Sequence, residues 1–158
     1  MKISIATIND IEVLTRVEIE SKSKSIPQLI EGFEVDHDAR LHRWQTWFGG
    51  RSPQTSLPER IAFKALTGDQ IVGYIAGHLT TRYNLNTEIQ SFYVLKEYQR
   101  KGVGSALLMA FVNWLKKNNA TTLCVGIARQ NPYQAFYLKH GGKYLNEHWI
   151  WWDDLAAL

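Results

Sequence analysis

A long amphipathic helix, predicted for residues 102–119, constrains the fold of this chain more than any other segment. Apolar residues recur there at intervals of three or four and share one helical face: Val103, Leu107, Ala110, Phe111 and Trp114. Strand-like runs at 88–95 and 121–128 flank this helix. A strand, a long helix and another strand predict a right-handed crossover that joins two parallel neighbouring strands.

The rest of the chain predicts an α+β fold with a mixed sheet. Strand-like runs at 60–66, 70–79 and 88–95 form an antiparallel meander, with turns at 67–69 and 83–86. Before the meander, a strand at 3–6 leads to a helix capped by Asn9 or Asp10, and a second helix runs from about Asp38 to Gly49-Gly50. Residues 21–36 predict a loop or broken helix. After residue 128, a short helix at 131–140 and one or two strands within 143–152 complete the pattern.

The composition excludes several classes of protein. Of the 158 residues, 45% are apolar and 21% are charged, which is typical of a globular domain and excludes disorder, collagen and coiled coil. The net charge is +3 and the basic residues are spread along the chain, so no nucleic-acid partner is predicted. The longest apolar stretch, 106–112, is far shorter than the ~20 residues of a membrane span.

The single cysteine, Cys124, indicates a reducing compartment because it cannot form an intramolecular disulfide. It lies between Leu123 and Val125, so a buried apolar role is predicted. The N-terminus contains no continuous apolar segment of the kind found in signal peptides. A cytoplasmic protein without a membrane partner is therefore expected.

Gly102 and Gly104 open the long helix and predict a site for a phosphate or pyrophosphate. The first amides of a helix have no intrahelical acceptor, and the helix dipole adds partial positive charge there. Arg100 and Lys101 add to that charge. A P-loop requires Gly-Lys before a serine or threonine, which is absent here, and a dinucleotide fingerprint requires a small residue where Leu107 stands.

Two motifs and the order of the elements resemble the GNAT family of N-acetyltransferases. The motifs are Gln99-x-x-Gly102-x-Gly104, which opens the helix, and Asn131-x-x-x-Ala135-Phe136-Tyr137, which follows the next strand. The resemblance covers nearly the whole chain and is strongest over 88–142. It implies one GNAT acetyltransferase domain over residues 1–158, with the acyl-CoA N-acyltransferase fold. That fold has three layers, a mostly antiparallel sheet of six to seven strands, about four helices, and central strands that splay apart.

The resemblance also implies where acetyl-CoA binds as a cosubstrate. Gln99 would be one of its contacts. The backbone amides that follow Gln99 would wrap its pyrophosphate, namely those of Arg100, Lys101, Gly102, Val103, Gly104 and Ser105. The strand that ends in Phe92, Tyr93 and Val94 would diverge from the strand 123–127, and the pantetheine arm would lie in the gap. The amide near Val94 would face the acetyl carbonyl as an oxyanion donor. Asn131 corresponds to a position that contacts the cofactor arm.

Tyr137 and Glu88 are the catalytic residues that the resemblance implies. Tyr137 corresponds to the tyrosine near the cofactor sulfur and would serve as general acid for the departing thiolate. Its alternative is an aromatic packed under the sheet. Glu88, eleven residues before Gln99, would serve as general base through one water, with a solvated carboxylate as the alternative. A second family position for a base is Gly126 here, which weakens the case for enzymes that acetylate ribosomal-protein N-termini.

The acceptor is expected to be a primary amine of a small molecule or peptide. Both segments that select substrates in the family, 21–38 and 144–154, contain acidic residues, which are Glu31, Glu34, Asp36, Asp38, Glu147, Asp153 and Asp154. A cationic amine suits them, although the same acids also suit solubilised loops. His78 is a weaker candidate for a proton relay, and His140 and His148 predict no metal site. Trp149 and Trp151 are expected on one face of the last strand and Trp152 on the other, compatible with a homodimer contact.

The expected activity is transfer of an acetyl group from acetyl-CoA to that amine, by direct attack through a tetrahedral intermediate. An acyl-CoA-binding sensor of the same fold, without turnover, is the first alternative. A nucleotide-binding protein of unrelated fold, which uses Gly102 and Gly104 for another phosphate, is the second.

Overall fold

The computed structural model describes residues 1–25, 37–128 and 131–158. The described residues form seven strands, which are β1 (Lys2–Ile5), β2 (Ser56–Thr67), β3 (Gln70–Thr80), β4 (Thr87–Val94), β5 (Leu123–Gly126), β6 (Lys143–Asn146) and β7 (Trp149–Trp152). They also form four α-helices, which are α1 (Ile11–Ser25), α2 (His37–Phe48), α3 (Val103–Lys117) and α4 (Gln134–Lys139).

All seven strands belong to one mixed sheet with the order β1-β2-β3-β4-β5-β7-β6. Neighbouring strands are antiparallel except β4 and β5, which are parallel and are connected through α3. The predicted meander is therefore β2, β3 and β4, and the predicted crossover helix is α3. The α+β class and the mostly antiparallel sheet are confirmed.

The sheet separates two apolar cores. Successive residues of β3 point to opposite faces, so Ile75 packs with Leu107 and Phe111 of α3, while Tyr74 packs with Leu14 of α1 and Trp44 of α2. Helices thus cover both faces and give three layers. In β7, Ile150 and Trp152 are buried, whereas Trp149 and Trp151 are partly exposed, which confirms the predicted alternation of the tryptophans.

The start of α1 differs from the prediction. Thr7, rather than Asn9 or Asp10, is the cap: its hydroxyl oxygen accepts from the amide of Asn9 at 3.3 Å, and the carboxylate of Asp10 accepts from the amide of Thr7 at 2.7 Å. This reciprocal pair satisfies two amides that a helix start leaves without partners. A single 3₁₀ turn then leads into α1.

Residues 21–36 were predicted to form a loop or a broken helix. Residues 21–25 continue α1, in which Ser21 is buried, so the loop alternative is wrong for them. The packing of Ser21 offsets the low helix propensity of serine. Residues 26–36 lie outside the described residues.

A bulge in β4 separates the two central strands. Ala76 of β3 lies opposite Ser91, and Gly77 lies opposite Ile89, so Gln90 is an extra residue in β4. An extra residue bends its strand and increases the local twist. The strands β4 and β5 pair only over 87–89 and 123–125, and they part beyond the bulge. This confirms the prediction of splayed central strands.

Candidate functional site

The gap between β4 and β5 is lined by main-chain groups of β4. The amide of Leu95 donates to the carbonyl of Val72 at 2.9 Å, and Tyr93 pairs with Tyr74 in β3. Because main-chain groups alternate in direction along a strand, the N–H and C=O of Val94 point away from β3 and into the gap. The amide of Val94 is thus directed into the gap, and its role as the oxyanion donor that the resemblance implies stays a prediction.

The glycine-rich turn presents a cluster of unpaired amides at the end of this gap. The first helical amide with an intrahelical acceptor is that of Ala106, which donates to the carbonyl of Gly102 at 3.0 Å. Within the described ranges, none of the amides of residues 100–105 donates to a main-chain carbonyl. Arg100 and Gly102 have positive φ angles of 58° and 83°, which turn successive amides toward a common side. Such a concave cluster suits a phosphate group.

Side chains beneath the turn hold it in place. A Cβ on Gly104 would lie 3.3 Å from the ring of Phe136, so this glycine permits close packing of α3 on α4. Nδ1 of His140 faces the carbonyl oxygen of Phe136 at 2.8 Å and must donate to it, and Nε2 forms a hydrogen bond with the hydroxyl of Ser105 at 3.1 Å. His140 therefore ties the two helices together, and the side chain of Ser105 is used structurally.

Tyr137 lies under the splayed part of the sheet. It is 8% exposed, and its ring contacts Phe92, Phe136 and Trp152 at centroid distances of 6.4, 5.6 and 6.0 Å. In the described residues no group forms a hydrogen bond with its hydroxyl. Burial raises the pKa of the phenol, so it stays protonated at neutral pH. Tyr137 therefore packs under the sheet, as its alternative role predicted, and also keeps an O–H donor without a partner among the described residues.

Asn131 has a local contact at the start of α4. Its side-chain oxygen accepts from the amide of Tyr133 at 2.8 Å, and its own amide donates to the carbonyl of Ala128 at 2.9 Å. The hydroxyl of Tyr133 in turn donates to the side-chain oxygen of Gln99 at 3.1 Å. Asn131 therefore helps to place α4 against the glycine-rich turn, and its contact with a cofactor arm stays a prediction.

Glu88 lies where β4 still pairs with both neighbours, on the opposite side of the bulge from Val94. Its side chain is 7% exposed, and its Oε2 accepts from Nε of Arg82 at 2.9 Å. The guanidinium of Arg82 also stacks over Trp149 at 4.7 Å. Glu88 is therefore not a solvated carboxylate, and its role as a base stays a prediction.

Two neighbours of Glu88 are buried. His78 is fully buried, with Nδ1 at 3.0 Å from the carbonyl oxygen of Leu79 and Nε2 at 3.3 Å from Oε1 of Gln90. Burial lowers the pKa of His78, which favours the neutral imidazole. Cys124 is fully buried, as predicted, and burial raises the pKa of its thiol to about 12.

A cavity of about 310 Å³ lies between α1, α2 and the bulged part of β4. Its walls include Glu18, Lys22, Arg40, Trp44, Gln90 and Tyr93. Sequence reasoning missed this cavity, because residues from three distant segments form it and no motif relates them. Tyr93, predicted as a cofactor residue, pairs through its main chain with β3 and lines the cavity with its side chain.

The acidic residues near the C-terminus have other contacts. The carboxylate of Asp153 forms an ion pair with Lys143 at 3.0 Å, and that of Asp154 accepts from the amide of Ala156 at 2.8 Å. Glu31, Glu34 and Asp36, which were expected to favour a cationic amine, lie outside the described residues.

A mixed sheet with splayed central strands, and a glycine-rich turn at the end of the gap, define an acyltransferase of the GNAT type. The sequence model of the acetyltransferase (GNAT) family matches residues 18–142, and the chain belongs to that family. None of the helices in the described ranges is long and apolar enough to cross a bilayer.

Individual proteins support the same assignment. The chain is 31% identical over 83 residues to the uncharacterized N-acetyltransferase YuaI of Bacillus subtilis strain 168, a match that spans 45% of this chain and only 48% of YuaI. The crystal structure of PaiA N-acetyltransferase from Thermoplasma acidophilum, in complex with coenzyme A, has a TM-score of 0.69 at 22% identity and covers 96% of this chain and 98% of that one. An acetyltransferase from Thermus thermophilus has a TM-score of 0.73 at 22% identity, with 96% and 95% covered.

Proposed function

We propose that this enzyme transfers an acetyl group from acetyl-CoA to a primary amine of a small molecule or peptide. The observation that carries the proposal is the gap that opens in the sheet after Ile89 and Val125, with the N–H of Val94 directed into it and the amides of 100–105 at its end. A pantetheine arm is an extended chain with amide groups, and it matches a strand edge that lacks its partner.

The turn at 100–105 suits the pyrophosphate of acetyl-CoA. Its unpaired amides lie at the N-terminus of a fifteen-residue helix, where the helix dipole favours an anion. Arg100 and Lys101 add two positive charges, and the ammonium of Lys101 lies 5.8 Å from the ring centre of Tyr98. The complex of PaiA with coenzyme A supports a CoA substrate for this fold.

The residues around the gap supply two parts of the chemistry. Direct attack of an amine on the thioester develops negative charge on the carbonyl oxygen, and the N–H of Val94 is a fixed donor for that charge. The departing thiolate then requires a hydrogen bond or a proton, which the hydroxyl of Tyr137 would supply. Because burial raises the pKa of Tyr137 further above the ~8.5 of a thiol, its main contribution is a hydrogen bond to the developing thiolate.

Glu88 is the proposed general base, acting through a water molecule. An alkyl ammonium with a pKa near ~10.4 must lose a proton before it attacks. Arg82 binds Oε2 of Glu88, so Oε1 is the oxygen that would direct the water. Gln90, which contacts His78, lies in β4 between Glu88 and the proposed oxyanion donor and lines the cavity.

A thiol-release assay tests the proposal. Acetyl-CoA is mixed with the enzyme and with a panel of amino acids, peptides, polyamines and amino sugars, and free CoA is measured. Release that depends on one class of amine supports the transferase. Tight binding of acetyl-CoA with no amine-dependent release would instead identify a sensor without turnover.

A further inference from the structure

Among the described residues that line the cavity between α1, α2 and β4, cationic side chains outnumber acidic ones. One buried carboxylate, that of Glu18, forms ion pairs with Lys22 at 2.7 Å and with Arg40 at 2.8 Å. Arg43 also lines the cavity, and no carboxylate lies within ion-pair distance of it in the parts of the chain that the structure describes. Three cationic side chains therefore surround one acid.

We propose that the acceptor amine also carries a carboxylate, which binds to Arg43 and Arg40 in this cavity. The inference rests on the proposed function and names the class of acceptor as an amino acid. A carboxylate and a guanidinium form paired, charge-assisted hydrogen bonds, so such an acceptor would supply an anionic partner for Arg43.

Crowding of the cations supports an anionic occupant. Burial lowers the pKa of Lys22, and the guanidinium groups of Arg40 and Arg43 act in the same direction, against the carboxylate of Glu18. Neighbouring cations disfavour each other's charged form, and an anion that binds among them removes that penalty. A polyamine would add like charge to this cluster and would be disfavoured.

The cavity adjoins the proposed reaction centre through Tyr93. This residue immediately precedes Val94, whose N–H points into the gap, and its side chain forms part of the cavity wall. Burial and the carboxylate of Glu18 raise the pKa of Tyr93, and the phenol of Tyr137 raises it further. An acceptor held in the cavity by its carboxylate would therefore place its amine beside the gap.

The size and the walls of the cavity limit the acceptor further. A volume of about 310 Å³ lies at the lower end of the ~300–1,000 Å³ that small-molecule sites occupy. Trp44 and Trp47 are nearly fully buried and stack edge to face, with ring centroids 5.7 Å apart. These rings form an aromatic part of walls that are otherwise mostly charged or polar.

The same charges would promote deprotonation of the acceptor. A positive environment disfavours an ammonium ion and lowers its pKa, so more of the bound amine is in the nucleophilic form. This effect would reduce the demand on a general base.

The test compares each acid with its neutral amide. Turnover is measured for phenylalanine and phenylalaninamide, leucine and leucinamide, and spermidine, in the wild type, in Arg43→Gln and in Arg16→Gln. Arg16 is an exposed arginine of α1 outside the cavity wall and is the matched control. We expect the acids to exceed the amides and spermidine in kcat/KM, and the acid-to-amide ratio to fall roughly tenfold in Arg43→Gln only.

A binding measurement separates this inference from the proposed function. Calorimetry gives the dissociation constants of N-acetylphenylalanine and its amide in the presence of CoA, for the same three proteins. Preference for the acid that depends on Arg43 supports the inference even if no amine is acetylated, in which case only the proposed function fails. Any of three results would overturn the inference. Turnover could favour the amides or spermidine, Arg43→Gln could leave the acid-to-amide ratio unchanged, or the acid could fail to bind.

Discussion

The side-chain amide of Gln99 donates to the carbonyl oxygen of Val94 at 2.9 Å. This bond ties the first residue of the glycine-rich turn to the end of β4, at the point where β4 has lost β5 as its partner. The side-chain oxygen of Gln99 accepts from Tyr133 at 3.1 Å, which adds the start of α4 to the same junction. Gln99 therefore fixes the glycine-rich turn relative to the gap, and its contact with a cofactor stays a prediction.

Replacement of Gly102 tests the phosphate site. This glycine has a φ of 83°, and an alanine there would be strained by about 1 kcal/mol. Its Cβ would meet no protein atom within 4 Å and would extend into open space beside the unpaired amides. We expect Gly102→Ala to weaken acetyl-CoA binding roughly tenfold or more, as measured by calorimetry.

Gly68 provides the control for that substitution. It also has a positive φ, 59°, and open space around a Cβ, but it lies in the β2–β3 hairpin. Gly68→Ala should lower the stability by a similar amount and leave acetyl-CoA binding unchanged. Equal losses of affinity in the two variants would show that strain, rather than the phosphate site, is responsible.

Removal of the Tyr137 hydroxyl should separate chemistry from binding. Since that hydroxyl forms no hydrogen bond within the described residues, Tyr137→Phe should change the free energy of unfolding by less than about 1 kcal/mol. We expect kcat to fall on the order of 10²-fold while the affinity for acetyl-CoA stays the same. An unchanged kcat in Tyr137→Phe would eliminate the acid role.

Stability should decrease at alkaline pH because of buried phenols. Burial raises the pKa of Tyr74 and of Tyr137, whereas unfolded tyrosines ionise near pH ~10. Above that pH the unfolded chain releases protons that the folded chain keeps, so the free energy of unfolding falls as pH rises. Below pH ~9 this contribution is constant. Each phenol contributes a slope of about 1.4 kcal/mol per pH unit.

Urea denaturation between pH 8 and 11 measures that slope. Tyr74→Phe removes one buried phenol, together with its 2.6 Å hydrogen bond to Ser91, and should make the alkaline slope shallower by about 1.4 kcal/mol per pH unit. Loss of the hydrogen bond changes the free energy of unfolding by the same amount at every pH, so it does not affect the slope against pH. Equal slopes of the free energy of unfolding against pH in the wild type and in Tyr74→Phe would show that the phenol of Tyr74 does not cause the alkaline loss of stability.

The role of Glu88 is tested through the rate of a folded variant. If Glu88 is the base, Glu88→Gln should lower kcat/KM on the order of 10²-fold. Because the carboxylate is buried with Arg82, the substitution should also cost stability, so folded protein is confirmed by its unfolding curve at the assay temperature. A rate like that of the wild type, in folded Glu88→Gln, would leave Glu88 with a structural role alone.

Local patterns predicted most of the fold. The apolar period of α3, the β2–β3 hairpin signal and the β4–α3–β5 crossover each depend on neighbouring residues, and each is present in the structure. The glycine-rich turn was also recognisable, because its chemistry depends on main-chain amides in one short segment. Even the missed cap had a local signal, since Thr7-x-x-Asp10 approximates a capping box.

Features that depend on tertiary packing were not predictable. The bulge at Gln90 has no glycine or proline to mark it, and it becomes evident only from the register of β3 and β4. The ion pair of Glu18 and Arg40 joins residues of two helices, and only their packing on β4 forms the cavity. Glu88 likewise resembled an exposed strand residue until its contact with Arg82 was seen.

A crystal structure of the enzyme with acetyl-CoA tests the central claim most directly. We expect the diphosphate oxygens within hydrogen-bond distance of amides in the segment 100–105, the pantetheine arm between β4 and β5, and the thioester carbonyl facing the N–H of Val94. A cofactor bound elsewhere, or strands β4 and β5 paired along their full length around an empty turn, would contradict it.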